Sequence, residues 1–248
     1  MNMLMQGRAA QAYWQRIKNY GPKAYWALAE LSGAVALDQM AAAQNAAYNN
    51  VTLGDTGIGD YSNSPSAAFN GSTSRVNLYS TSFRDVFSAI AGSVVIWCKV
   101  GAAQWTDGSI RYMFYIAASP ANYIMAFKSS VNNSIQLRYR ANNITQIVSI
   151  ATSTTNWFHL GLTWDKTADA VKGYFNGAQA GTTQTGMDVW SGTLASTSTG
   201  LGSSVLNAEV WTGNLAHCAV FDRVLSANDI ANLYTISQHK GISPVPVA

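Results

Sequence analysis

Few side chains in this sequence could do chemistry. Its 12 acids include two glutamates, Glu30 and Glu209, far apart in the chain. Hydrolysis of a glycosidic bond needs two carboxyls about 5–10 Å apart, one as general acid and one as base or nucleophile. Asp165 and Asp169 are four apart but flank a turn, where solvated loop acids are expected. His159, His217 and His239 show no metal-ligand spacing with one another or with Cys98 and Cys218. A G-x-S-x-G elbow and a phosphate-binding glycine loop are both absent from the sequence. The reading is a non-enzyme with no catalytic residues and no bound metal. The two cysteines sit in different apolar runs and read as buried thiols, with one disulfide across the fold as the alternative.

Aromatic side chains are the other candidates. Trp105 and Trp190 lie in loop-like stretches, QWTDGS and VWSGT, and Trp211 is a third candidate. An exposed indole can stack on a sugar ring or anchor an interface, so these three are candidate glycan or interface contacts; loop packing is the alternative. Tyr112, Tyr115, Tyr123 and Tyr139 can add to one face, although their alternation makes some of them plain strand residues.

The elements that position these residues follow from composition and pattern. Only 11% of residues are charged, against about 25% in an average soluble domain. That argues against long surface helices and suits β-strands with polar, uncharged loops. The net charge of +3 is too small for a nucleic-acid partner. No run of 18 apolar residues is present for a membrane helix. The positive excess sits at the start, where Arg8, Arg16, Lys18 and Lys23 meet no acid before Glu30. Ala10, Tyr13, Trp14 and Ile17 follow i, i+3, i+4, i+7 spacing there and predict an amphipathic helix, stopped at Gly21-Pro22. LSANDIANLY predicts a second short helix, capped by Ser226 with Asp229 three residues on.

Between the helices the pattern is strands and turns. Ser93–Val100, Arg111–Ala117, Tyr123–Lys128, Ile135–Arg140, Ile144–Ile150, Phe158–Trp164, Val171–Phe175 and Leu215–Phe221 are the predicted strands. Asn176-Gly177 is the clearest hairpin signal, and Asn132-Asn133 and Asn142-Asn143 bracket another. Short strands at this spacing, with no alternating helices, predict a two-sheet antiparallel jelly-roll sandwich. The domain is expected over residues 24–236, after a helical arm at 1–23 and before an extended tail at 237–248.

Several segments together resemble the laminin-G-like, concanavalin A-like lectin/glucanase jelly rolls. PKAYWALAELSGAVALDQ resembles their opening, AAFNGSTSRVNL the next strand, and SVVIWCKV the strand after it. NWFHLGLTWDKTADAVKGYFNGAQAG resembles their central hairpin and LAHCAVFDRVLSANDIANLY their close. The resemblance runs from Tyr25 to Tyr234 and implies the same all-β sandwich, with Trp26, Trp97, Trp157 and Trp164 in its core. Relatives that are glucanases carry E-x-D-x-E on one strand; this sequence does not. Where the closing strand of the family usually carries Asp-Glu, this chain has His217-Cys218, which supply no oxygen ligand for a structural calcium. Asp38, Asp60 and Asp107 remain the loop candidates for such an ion.

Such jelly rolls are usually found outside cells, while MNMLMQGRAAQAYWQRIKNY has no signal-peptide core. That pairing predicts a bacteriophage structural protein, a capsid decoration, neck or tail component, made in the host cytoplasm and carried in the virion. Its partners would be other virion proteins, copies of itself and a host surface glycan. The alternative is a glycan-binding lectin module. The arm is expected to dock the domain on a partner subunit or a second copy of itself through Ala10, Tyr13, Trp14 and Ile17, rimmed by Arg8, Arg16 and Lys18; folding back on its own sandwich is the competing outcome.

Overall fold

The computed structural model describes residues 13–41, 44–59, 64–203 and 209–238, with side chains through Thr235. From the N-terminus come α1 (Tyr13–Lys18), β1 (Ala24–Trp26), β2 (Val35–Ala36), β3 (Ala46–Asn49), β4 (Thr52–Asp55), β5 (Ser66–Asn70), β6 (Arg75–Asn77) and α2 (Thr81–Val86). The long β7 (Ala91–Lys99) leads through a 3-10 turn, Ala102–Thr106, into β8 (Arg111–Ser119), β9 (Asn122–Lys128), β10 (Ser134–Ala141) and β11 (Ile144–Ala151). The chain continues with β12 (Phe158–Asp165), β13 (Ala170–Phe175), β14 (Ala178–Gln184) and β15 (Thr199–Leu201), then closes with β16 (Thr212–Phe221) and α3 (Ala227–Gln238).

These strands form two antiparallel sheets. The first runs β14-β13-β12-β7-β16-β5-β4, with β1 also paired to β16; the second runs β11-β10-β9-β8-β15-β6-β3-β2. All the predicted strands are present, and the architecture is the expected all-β sandwich with short terminal helices. Asn176 and Gly177 join β13 to β14 with φ of 49° and 83°. That positive pair is what a type I′ turn requires, and glycine takes it without a Cβ penalty. Asn142 and Asn143 turn β10 into β11 in the same way, at φ 46° and 70°.

Strand alternation builds the core. Val94, Ile96 and Cys98 of β7, Leu160, Leu162 and Trp164 of β12, and Ile124, Ala126, Leu137 and Tyr139 of the second sheet fill the space between the sheets. The odd residues of β7, Val95 and Trp97, point the other way into a second core. There Tyr13 and Ile17 of α1, Tyr25, and Ile230 and Leu233 of α3 close over the outer face of the first sheet. Covering both faces explains why β7 and β12 read as almost unbroken apolar runs.

The arm therefore behaves differently from the docking element expected. Tyr13 and Ile17 are fully buried against the chain's own first sheet, so they form no docking surface. Tyr13 stands edge-on to the ring of His217 at 4.8 Å, and its hydroxyl accepts from Trp97 Nε1 at 3.2 Å. A six-residue helix is too short to persist alone, and this packing is what stabilises it. Trp14 is half-buried with Lys18 over its ring, and Arg16 is half-buried beside them. Arg8 and Ala10 lie outside the described residues. At the other end, α3 begins as the capping box predicts: Ser226 Oγ accepts from Asp229 N, and Asp229 Oδ2 accepts from Ser226 N. The helix continues through Gln238 rather than giving way to an extended tail at 237, and residues 239–248 are outside the description. Cys98 and Cys218 are buried and free.

Candidate functional site

With α1 and α3 packed on the first sheet, the outer face of the second sheet is the broad sheet surface left open among the described residues. Its middle strands alternate strictly enough to sort their side chains. In β9, Ile124 and Ala126 point inward, while Tyr123, Met125 and Phe127 point outward. In β10, Ile135, Leu137, Tyr139 and Ala141 are buried, and Gln136, Arg138 and Arg140 between them are half-buried on the outer side. The register places Arg140 beside Tyr123, Arg138 beside Met125 and Gln136 beside Phe127.

A β-bulge then decides what β8 contributes. Tyr112 and Tyr115 are three residues apart and in a regular strand would face opposite sides. The register shift between Tyr112 and Phe114 brings both onto the outer face, where they join Tyr123 and Phe127. Ring centroids are 5.3 Å apart for Tyr112–Phe127, 5.7 Å for Tyr112–Tyr115 and 5.6 Å for Tyr115–Tyr123. The Arg138 guanidinium lies 4.8 Å over Phe127, and that of Arg140 lies 5.7 Å from the Tyr123 ring centre. Phe127, Tyr123 and Tyr112 are thus a floor, and the groups on it open to a ligand are Tyr115, Arg138, Arg140 and Gln136.

The electrostatics vary across the face. Burial, and after it the Glu209 carboxylate, raise the Tyr112 hydroxyl above its ordinary value. Burial and the neighbouring Tyr123 raise Tyr115, opposed by Arg140. Both therefore remain neutral hydroxyls that can donate and accept. Next to Tyr112 an open depression of about 510 Å³ is lined by Ser72, Ser109, Ile110, Arg111, Ser130 and Glu209. Ile110 also packs on the ring cluster, so the depression adjoins the face. Arg111 brings no free charge to it, because Asp107 Oδ2 accepts from its Nε at 2.9 Å and Nη2 at 2.7 Å.

Of the residues singled out from sequence, three tyrosines meet here and Tyr139 does not: its ring is in the core and its hydroxyl donates to Ala89 O at 3.2 Å. The indole candidates are corrected. Trp105 is 1% exposed; the 3-10 turn folds it under the sheet edge, where Nε1 donates to Thr154 O at 2.9 Å. Trp211 is fully buried in the main core. Trp190 is half-buried between Phe87 and Tyr139, at 5.9 and 6.0 Å. None of the three indoles belongs to the ring cluster on the outer face. The sequence reading missed Phe127, Arg138 and Arg140, for which strict alternation in β9 and β10 was an available signal.

The remaining titratable groups have structural partners. Glu30 accepts from Tyr48 Oη at 2.6 Å and Leu37 N at 2.8 Å. Asp169 accepts from the Gly186 and Met187 N–H groups and Asp165 from those of Thr167 and Ala168, so both acids organise turns. His159 is fully buried between Trp97 and Tyr234, and burial pushes its imidazole down to about 3. His217 sits at a bulge of β16 with Nδ1 2.7 Å from Tyr25 Oη. Among the described residues no three His, Cys, Asp or Glu side chains gather as a metal site. Asp38 is committed to the N–H groups of Tyr25, Met40 and Gln44, and Asp107 to two cations; Asp60 lies outside the description.

A family model described as the concanavalin A-like lectin/glucanases superfamily matches residues 70–231. The chain belongs to that superfamily. Solved structures share this fold at low identity. The receptor binding domain of botulinum neurotoxin mosaic serotype C/D matches with TM-score 0.66 and 13% identity over 86% of this chain and 50% of that one. The serotype D ligand binding domain in complex with N-acetylneuraminic acid gives 0.63 and 17%, covering 88% and 51%. The chain thus spans about half the length of these neurotoxin chains. Domain 4 of a GH43 extracellular arabinanase from Geobacillus stearothermophilus, in complex with arabinotriose, gives 0.61 and 19%, covering 86% of this chain and 98% of that domain. No curated protein matches the sequence significantly.

Proposed function

We propose that the chain is a non-enzymatic saccharide-binding domain, with its ligand lying across β8, β9 and β10 on the outer face of the second sheet. The observation that carries this reading is the group Tyr115, Arg138 and Arg140 held over the Tyr112–Tyr123–Phe127 floor. Rings held by their neighbours present apolar area at little entropic cost, and guanidinium and phenol groups supply the hydrogen bonds that sugar hydroxyls need. The sugar complexes of the arabinanase domain and the serotype D domain support it by fold analogy. For the absence of catalysis, the support is that Glu30 is bonded to Tyr48 and Asp107 to Lys128 and Arg111.

On a bacteriophage particle, as a decoration, neck or tail protein, the same face would hold host surface polysaccharide. Mass spectrometry of purified particles tests that placement: a fixed copy number supports it and absence from particles refutes it. The binding reading is tested by affinity electrophoresis and calorimetry against a panel of polysaccharides. Tyr115→Ala should weaken the best ligand about tenfold, roughly the 1.4 kcal/mol of one good contact, without changing Tm. Binding unaffected by Tyr115→Ala would place any site elsewhere.

A further inference from the structure

Resting on that reading, we propose that the ligand is an acidic saccharide, whose carboxylate or sulfate group is taken by Arg138 and Arg140. The two guanidiniums differ from the ion-paired cations of the described structure. Lys23, Arg84, Arg111, Lys128 and Arg223 each meet a carboxylate. Arg138 and Arg140 meet none. Arg138 gives Nε and Nη2 to the neutral Gln136 Oε1 at 2.9 and 2.5 Å, and Arg140 gives Nη2 to the neutral Asn143 Oδ1 at 3.0 Å. Neither is ion-paired among the described residues, and Arg140 Nε is buried there with no hydrogen-bond partner.

Their placement suits one anionic group. Two residues apart on β10, they project from the same face with Cα atoms about 7 Å apart. Gln136 or Asn143 fixes one edge of each guanidinium, and Phe127 or Tyr123 lies beneath, so little side-chain entropy is left to lose on binding. Charge-assisted bonds from arginine to an oxyanion are about twice as strong as neutral ones. The nearest acids do not cancel this charge. Asp188, by the β10–β11 turn, is bonded to Asn142 Nδ2 and Val189 N, and Glu209 stands two strands away beside Tyr112. The two guanidiniums therefore put positive charge at the β10 side of the face, about 10 Å from β8 across two strand spacings. A saccharide would lie with its acid group on β10 and its hydroxyls toward Tyr115 and Glu209.

The test measures binding of the full chain to dextran and arabinan as neutral polymers, polygalacturonate as a carboxylate polymer, dextran sulfate as a sulfate polymer, and duplex DNA as a polyanion that is not a saccharide binder's target. At low salt the expected result is at least tenfold tighter binding to one acidic polysaccharide than to either neutral one. Arg138→Gln and Arg140→Gln should each cost tenfold or more, with the corresponding lysine variants partly restoring it and Tm unchanged in all four. Preference for polygalacturonate over dextran sulfate identifies the carboxylate as the group, and the reverse identifies the sulfate. Neutral and acidic polymers bound alike, with the arginine variants silent, would overturn the inference and leave the saccharide reading standing. DNA bound as tightly as the acidic polysaccharides would also overturn it, since bare charge would then explain everything. No binding to any saccharide would sink both.

Discussion

Lys128 Nζ lies 2.7 Å from Asp107 Oδ1, the lysine fully buried and the aspartate 22% exposed. Arg111 holds the other carboxylate oxygen, and Ser109 O accepts a second bond from Lys128 at 3.0 Å. This triad ties the loop before β8 to the end of β9, at the edge of the ring cluster. Removing one partner of a buried pair leaves a bare charge behind, so Asp107→Asn should destabilise the fold by about 3–5 kcal/mol. Urea unfolding at pH 7 measures it. Burial pushes the Asp107 carboxyl up, but Lys128, the Ser109 N–H and Arg111 together hold it down to about 2. The depressed value means that its contribution is complete above about pH 4 and is lost as pH falls toward 2, a total of roughly 2 kcal/mol. Asp107→Asn should abolish that part of the acid slope.

A second acid effect lies in a different window. His159 is fully buried against Trp97 and Tyr234, with neither ring nitrogen hydrogen-bonded, and burial lowers it to about 3. The unfolded chain takes up this proton below about pH 6.5 while the folded one does not, so stability falls as pH drops from 6.5 toward 3. By pH 4.5 the loss should be about 2–3 kcal/mol. Tm measured from pH 7 to 4.5 should fall less steeply in His159→Leu than in the parent, and equal slopes would refute the assignment.

The alternating strands were legible because burial imposes a period of two that side chains cannot disguise. Ile135, Leu137, Tyr139 and Ala141 show it on the inner side of β10, and Asn176-Gly177 marks the β13–β14 hairpin by the only backbone conformation a type I′ turn accepts. What escaped is set by neighbours distant in sequence. Polar residues around Trp105 mark a loop correctly, yet say nothing of one indole folding inward to Thr154. Tyr112 and Tyr115 share a face only because of a bulge, and a one-residue shift in register is invisible in the pattern. Basic residues near Tyr13 and Trp14 suggested an external partner, but the apolar outer face of the first sheet was the larger demand.

That demand makes the arm part of the fold. Ile17 is fully buried against the second core, and Tyr13 bridges Trp97 and His217. Ile17→Ala and Tyr13→Ala should each cost about 2–5 kcal/mol in the isolated chain. Sedimentation should show the same mass for parent and variants. Undiminished stability with an altered oligomeric state would restore the external-docking role.

The last expectation concerns the thiols. Cys98 on β7 faces Leu215 across the ladder, and Cys218 on β16 faces Trp26 of β1, so the two are not cross-strand partners. Both are fully buried, and burial pushes each thiol far above its ordinary range, which leaves almost no thiolate to react. A thiol reagent should label neither residue in the folded protein and both after unfolding, and native labelling should proceed only through global opening. The rival outcome is specific. Between Ala216 and Ala219 the β16 register shifts, with His217 at φ 52° and its N–H bonded to Ala27 O rather than to β7. If that bulge opens locally, Cys218 will label faster than Cys98 and faster than the protein unfolds. Equal rates for the two, both falling as stabilising salt is added, would instead show that β1, β7 and β16 open as one unit.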